Sequence, residues 1–271
     1  MRIKNYPSVK SLTPDQVLLV DGDLGTKNIA IGDAIQAMLS FMSPQNHKNI
    51  FRGKNLGSAV TSEQKAAIQA GTFEDLWLGD YWEINGVKWR IADFDYWMNI
   101  SSLKSHHLVI IPDTCLYMAK MNDSDTTVGG YVGSAMYTAN LSNAKEVVVG
   151  AFGDFVLSHR EHLVNAVTSG YPSAGAVYDS EVDLPSEIMM YGHPYFMPMG
   201  TGSVIVTNHS LSKTQLSLMR VCPEFIMTTN NHTWLRDVVS ASSFAMISAE
   251  GIATFGYAGV ARGVRPVFAI G

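Results

Sequence analysis

Asp80-Tyr81-Trp82-Glu83-Ile84-Asn85-Gly86-Val87-Lys88-Trp89-Arg90-Ile91 is the stretch that decides the fold class. Two aromatic and β-branched runs flank Asn85-Gly86. A two-residue Asn-Gly connection takes positive φ at both positions, which matches the right-handed twist of paired strands. Residues 80–91 are therefore expected to form an antiparallel hairpin. Upstream, Thr61-Ser62-Glu63-Gln64-Lys65 opens a short helix capped by Thr61 or Ser62 and ending at Gly71. Downstream, Leu108-Val109-Ile110-Ile111 before Pro112 reads as a buried strand. From Ser134 to Phe152 the apolar positions Met136, Leu141, Val147, Val148 and Phe152 recur with helical spacing. A second short helix is expected from His159 to Val167. The last third divides into short strands at 203–207, 234–240, 244–248, 252–255 and 264–270, separated by Gly, Ser and Asn clusters. That order speaks against a parallel βαβ sheet and predicts an α+β fold of antiparallel strands with two or more helices.

The leading residues read differently. Val17-Leu18-Leu19-Val20 and Thr26-Lys27-Asn28-Ile29-Ala30-Ile31 flank the turn signal Asp21-Gly22-Asp23-Leu24-Gly25, giving a hairpin. After it Asp33 can cap a helix carrying Ala34, Ile35, Met38, Leu39 and Met42 up to Pro44. A unit this small cannot bury a stable core alone. The expected organisation is an anchoring and oligomerisation segment at 1–43, a linker at 44–49 and a large domain at 50–271.

Composition narrows the function classes. Of the 271 residues 46% are hydrophobic, enough for a large core, and only 16% are charged against about 25% in ordinary domains. That balance belongs to a loop-rich β-containing chain, or to one whose surface is partly covered by its own copies. A formal net charge of -5 without a basic run or stripe argues against nucleic acid as a partner. Met1 to Lys10 lacks the apolar centre of a secretory signal, and no run approaches the ~20 apolar residues of a membrane span, so no insertion is expected. Cys115 and Cys222 are too few and too far apart for a disulfide framework or zinc knuckle.

Several ordered motifs resemble a known family: Phe73-Glu74-Asp75-Leu76-Trp77-Leu78-Gly79-Asp80-Tyr81-Trp82, Val87-Lys88-Trp89-Arg90-Ile91-Ala92-Asp93-Phe94, Leu184-Pro185-Ser186-Glu187, Trp234-Leu235-Arg236 and Gly263-Val264-Arg265-Pro266-Val267-Phe268. Together, over residues 50–271, they resemble phage and prophage proteins carrying a domain of unknown function, widespread in viruses of Gram-positive bacteria. The leading hairpin is similar to N-terminal segments of phage fibre and decoration proteins. The same spacing is distantly similar to the formylglycine-generating-enzyme branch of the C-type-lectin fold, where an L-P-[ST]-E helix start precedes a closing G-[FV]-R strand. The resemblance implies a C-type-lectin-like domain in which Leu184, Pro185, Ser186, Glu187, Gly263 and Arg265 are fold determinants. Physically, Ser186 can cap a turn, Glu187 can favour its N-terminal dipole, and Arg265 can brace the last strand by bonding a carboxylate. The enzymes of that branch use closely spaced cysteines near the C-terminus; here Cys222 stands alone.

His106-His107 with Asp113 invites a metal, but neighbouring strand residues point to opposite faces. His159-Arg160-Glu161-His162 lacks the H-E-x-x-H arrangement, and Asn122-Asp123-Ser124-Asp125-Thr126-Thr127 departs from the calcium-loop pattern, so neither is expected to hold an ion. No cofactor is expected. Asp93 with Asp95 and Asp179 with Glu181 alternate as carboxylate pairs able to flank a glycosidic bond. No G-x-S-x-G elbow or phosphate loop occurs. Residues 230–262, rich in Asn, Ser, Gly, His, Phe and Tyr, have the composition of an adaptable binding surface, with Asn231, His232, Trp234, Phe255 and Tyr257 as candidate ligand contacts. Trp234, Phe244 and Phe255 also suit the core, Trp234 above all.

The expected function is that of a non-enzymatic phage virion protein, displayed on the particle surface after assembly in a bacterial cytoplasm. It is expected to be a homotrimer that docks on other virion proteins through residues 1–43 and attaches to a host surface glycan or protein. It could sit at the tail tip or baseplate as a receptor-binding fibre, or on the head as a fibre or decoration. The competing class is an enzyme of the formylglycine-generating or polysaccharide-cleaving kind.

Overall fold

The computed structural model describes residues 17–20, 27–31, 33–34, 44–98, 104–196, 214–228 and 231–271. The chain divides into two units, 1–46 and 47–271. In the first, β1 (Val17–Val20) pairs antiparallel with β2 (Lys27–Ala30), Val17 opposite Ala30 and Val20 opposite Lys27. Asp33 and Ala34 are helical. The remainder of the helix expected up to Met42 lies outside the described residues, as does the strand expected at 203–207. Residues 44–49, expected as a linker, form a 3-10 helix, Pro44–Asn49. Its His47 is buried in the second unit, stacked on Trp77 at 4.2 Å and bonded through Nδ1 to the Leu76 carbonyl at 2.6 Å.

The second unit is α+β. Its six-stranded sheet grows from the expected hairpin, β3 (Tyr81–Ile84) and β4 (Val87–Phe94), joined by Asn85 at φ 52° and Gly86 at φ 76°. Next to β4 lies β5 (Leu108–Pro112), and the chain's final strand returns between earlier ones. With β6 (Tyr117–Ala119), β7 (Val156–Leu157), β8 (His159–Thr168), β9 (Tyr171–Ser180), β10 (Val182–Asp183), β11 (Thr233–Val238), β12 (Ser243–Ile247), β13 (Ala253–Tyr257), β14 (Arg262–Val264) and β15 (Val267–Ile270), the sheet order is β10-β15-β5-β4-β3, with β7 also on β15. A five-stranded sheet runs β13-β12-β11-β14-β6. Among the named strands of the described residues all pairings are antiparallel except β11 with β14; the isolated bridges Phe51 to Leu78 and Asn55 to Tyr81 are parallel.

The Ser62–Gln69 helix carries the expected start: the Thr61 hydroxyl accepts from the Gln64 N–H, and the Gln64 side chain accepts from the Thr61 N–H. In the Leu141–Phe152 helix, Leu141, Ala144, Val148 and Phe152 form one buried stripe, while Val147 faces out. Phe152 meets Trp89 and Phe268 with ring centroids 5.6 and 5.4 Å away, which joins the helix to the large sheet.

One helix expectation is overturned. Residues 159–168 form β8, paired with β9 in a long hairpin. His159, Glu161 and Leu163 are buried, and Arg160 and His162 alternate with them. Arg265 also departs from expectation. It is buried, yet it donates to backbone carbonyls of Pro112 (2.7 Å) and Phe225 (2.8 Å) rather than to a carboxylate. The nearby carboxylate of Asp113 is taken by Arg90, at 2.5 and 2.6 Å. Arg265 thus ties the loop before β15 to the end of β5 and to the turn at 223–226.

Candidate functional site

An exposed aromatic surface is assembled around a buried carboxylate. After β10, Leu184-Pro185 leads into Ser186, whose side chain accepts from the Met189 N–H and caps the five-residue helix Glu187–Tyr191. Gly192, at φ 83°, ends it. The Glu187 carboxylate then folds the following turn back: it accepts from the N–H groups of Tyr195 (3.2 Å) and Phe196 (3.0 Å), while its own N–H donates to Asp237 at 2.6 Å. Glu187 was expected to act on a helix dipole. Its side chain does more, because it shapes the loop.

The rings follow from that loop. Tyr191 and His193 both meet Tyr195, at 5.3 and 4.3 Å between centroids, and Phe196 meets Phe255 of β13 at 5.4 Å. The Tyr191 hydroxyl donates to the Gly251 carbonyl at 3.2 Å. Burial, and then the Glu187 carboxylate, holds that hydroxyl protonated well above the ordinary tyrosine range. On the edge strand, Phe255 and Tyr257 lie on one face, 49% and 58% exposed.

The five sequence candidates separate accordingly. Phe255 and Tyr257 belong to this surface. Trp234 does not: it is fully buried, its indole N–H donates to the Ala119 carbonyl, and it packs so close to Gly256 that a Cβ there would lie 3.2 Å from its ring and 2.9 Å from the Met246 sulfur. Asn231 is half-buried, with its carbonyl bonded to Thr228. His232 is half-buried near Glu250, whose carboxyl sits below its usual range through the Ser248 hydroxyl first, then its own N–H, with His232 contributing. Tyr191, His193, Tyr195 and Phe196 escaped the sequence reading. Their only linear signal was the aromatic density of 191–196 just after Leu184-Pro185-Ser186-Glu187.

A second constellation is internal. Glu161 accepts from the Trp97 indole at 2.9 Å and pairs with Arg236 at 3.1 Å. His159 stacks on Trp97 at 4.0 Å and stands 3.6 Å from Asp183, which also accepts from the Tyr131 hydroxyl. Arg236 is 6% exposed and Glu161, Asp183 and His159 at most 1%, so the network binds β8 to the body of the unit instead of facing solvent.

The remaining candidates are each occupied. His106 pairs with Asp95 at 2.8 Å, while the buried His107 accepts the Trp97 N–H and bonds the Ser105 carbonyl. Asp93 is buried and accepts from Ser217 and Phe94 N–H groups, while Asp95 bonds His106 and the His107 N–H. Within 122–127, Asn122 donates to the Thr126 carbonyl and accepts from the Ala135 N–H, and Asp125 accepts from Gly259. Cys222 is buried and Cys115, half-buried, bonds the Thr233 hydroxyl; both are free thiols. Among the described residues no three His, Cys, Asp or Glu side chains gather as a metal site, and no helix is long and apolar enough to cross a membrane. Compared with family models, curated proteins and solved structures, the chain has no match in any of the three.

Proposed function

We propose that this is a non-enzymatic structural protein displayed on the surface of a bacteriophage virion. In this reading residues 47–271 form a C-type-lectin-like unit that attaches to a host surface, and residues 1–46 dock on the particle. The observation that carries it is the division of the chain. A leading unit of 46 residues whose described strands make a single two-stranded hairpin has too little core to stand alone, and a larger assembly or further copies would complete it. The antiparallel sheet with its last strand returned to the interior, and a second sheet ending in an exposed edge, support the lectin-like assignment. The cluster of Tyr195, Phe255 and Tyr257 supplies large rigid contact area of the kind that binding surfaces use. Trimeric display would turn weak single contacts into avid attachment.

The absence of catalysis in this proposal rests on how the available carboxylates are used: Asp93 and Glu187 are committed to backbone N–H groups, and Asp179 and Glu181 to ion pairs. Deleting residues 1–46 should yield particles lacking the protein, and Phe255→Ala with Tyr195→Ala should yield particles that carry it but adsorb poorly to cells. Incorporation of the shortened chain would overturn the docking role; full adsorption by the double variant would overturn the attachment surface.

A further inference from the structure

Away from the aromatic surface, an open groove of about 310 Å³ runs between the Leu141–Phe152 helix and the end of β9 with β10. One wall carries Tyr137, Leu141 and Lys145; the other carries Asp179, Glu181 and Val182. The helix begins with a π turn, Met136–Asn140, in which the Leu141 N–H bonds the Met136 carbonyl five residues back. That turn supplies Tyr137 to the groove, and such turns recur at functional sites. The Tyr137 hydroxyl bonds Ser180 across the base at 3.2 Å.

The charges in the groove balance. Lys145 meets Glu181 at 2.6 Å, and Asp179 is gripped by Arg160 at 2.6 and 2.7 Å. An anion would meet two carboxylates, and a metal ion would compete with two cations already in place. A hydroxyl group suits both partners, since it donates to a carboxylate and accepts from an ammonium. The pairs are half-exposed, Lys145 at 53% and Glu181 at 39%, so a ligand that loosens them gives up little. Between the charges, the half-buried Tyr137 ring offers an apolar surface for the C–H face of a sugar ring, while Leu141 and Val182, which also line the groove, are buried. The volume lies at the low end of the roughly 300–1,000 Å³ of small-molecule sites.

We propose that this groove is a binding site for a neutral hexopyranose, separate from the aromatic surface and independent of the virion assignment. It binds without cleaving. A glycosidase needs one carboxyl held protonated as an acid, whereas both carboxylates here are ion-paired and Arg160 keeps Asp179 below the ordinary range.

The test is saturation-transfer NMR on the full chain with glucose, galactose and N-acetylglucosamine singly, with inorganic phosphate as competitor. At least one sugar should receive transfer at its ring C–H protons, undisturbed by phosphate. Losing a hydrogen bond to a charged group in Lys145→Met should weaken it about tenfold or more. Ser142→Trp, which fills the groove from an exposed helix position, should abolish it, and Phe255→Ala should leave it intact. Circular dichroism verifies the fold of each variant, and Lys145→Met decides if the tryptophan variant misfolds. No transfer to any sugar, displacement by phosphate, or transfer kept by both groove variants overturns the proposal. Loss in Phe255→Ala alone would move the sugar to the aromatic surface and overturn it as well.

Discussion

Asp237 shows what burial does to a single ionisable group. Sealed beside Glu187, its carboxyl is pushed up to about 7, first by desolvation and then by the Glu187 charge, against the pull of Arg236. An aspartate in an unfolded chain titrates near 3.9. Between those values the folded protein binds a proton that the unfolded chain has released. The stability contributed by the neutral carboxyl is therefore complete below about pH 4 and is lost as the pH rises through about 7. Asp237→Asn keeps an oxygen to accept the Glu187 N–H and removes the titration. In urea unfolding from about pH 5 to about pH 8, the variant should gain on the wild type by on the order of 2 kcal/mol. Parallel curves across that range would show that Asp237 ionises normally.

At the scale of elements, a turn and a hairpin depend on buried polar groups. Glu187 holds the turn at 193–196 through two backbone N–H bonds, and with it the placement of Tyr195 and Phe196. Glu187→Ala strips those part-buried donors of their acceptor, costing less than the roughly 1–3 kcal/mol of a fully buried group because water can reach them. Amide exchange at Tyr195 and Phe196 should rise at least about tenfold, with cell adsorption falling in parallel. Unchanged exchange would mean that other contacts hold the turn. The hairpin β8–β9 explains the failed helix expectation. Two of the three leading buried positions of β8 are His159 and Glu161, so the alternation of inside and outside was hidden behind polar letters. A polar residue goes inside only where partners wait for it. Trp97, Arg236 and Asp183 come from distant parts of the chain, and only the folded unit brings them to β8.

For the molecule as a whole, the question is where self-sufficiency ends. The 47–271 unit has its own continuous core, from Ile68 in the first helix to Ile270 in the last strand. Expressed alone, it should give the full protein's far-UV spectrum for its share of the chain and melt cooperatively at the same temperature. Residues 1–46 alone should show no cooperative melt, being too short to bury a core. A markedly lower melting point for the isolated large unit would show that the leading residues are part of its structure.

Local grammar determined much of this from the letters alone. The Asn85-Gly86 hairpin, the Thr61 cap, the stripe of the Leu141–Phe152 helix, the strand at 108–112, the short strands from 233 onward and the Ser186 cap all rest on contacts within a few residues, or on an apolar period. Of the candidate surface, Phe255 and Tyr257 were legible as aromatics within the Asn-, Ser- and Gly-rich stretch 230–262. What the letters could not carry was every pairing across long separations. Glu187 reaching Asp237, Glu161 reaching Arg236, Arg265 reaching carbonyls of two remote loops and Trp234 turning inward are decided by which strands become neighbours. A polar side chain has no period that records its partner; its burial becomes favourable only when tertiary packing delivers that partner within hydrogen-bonding reach.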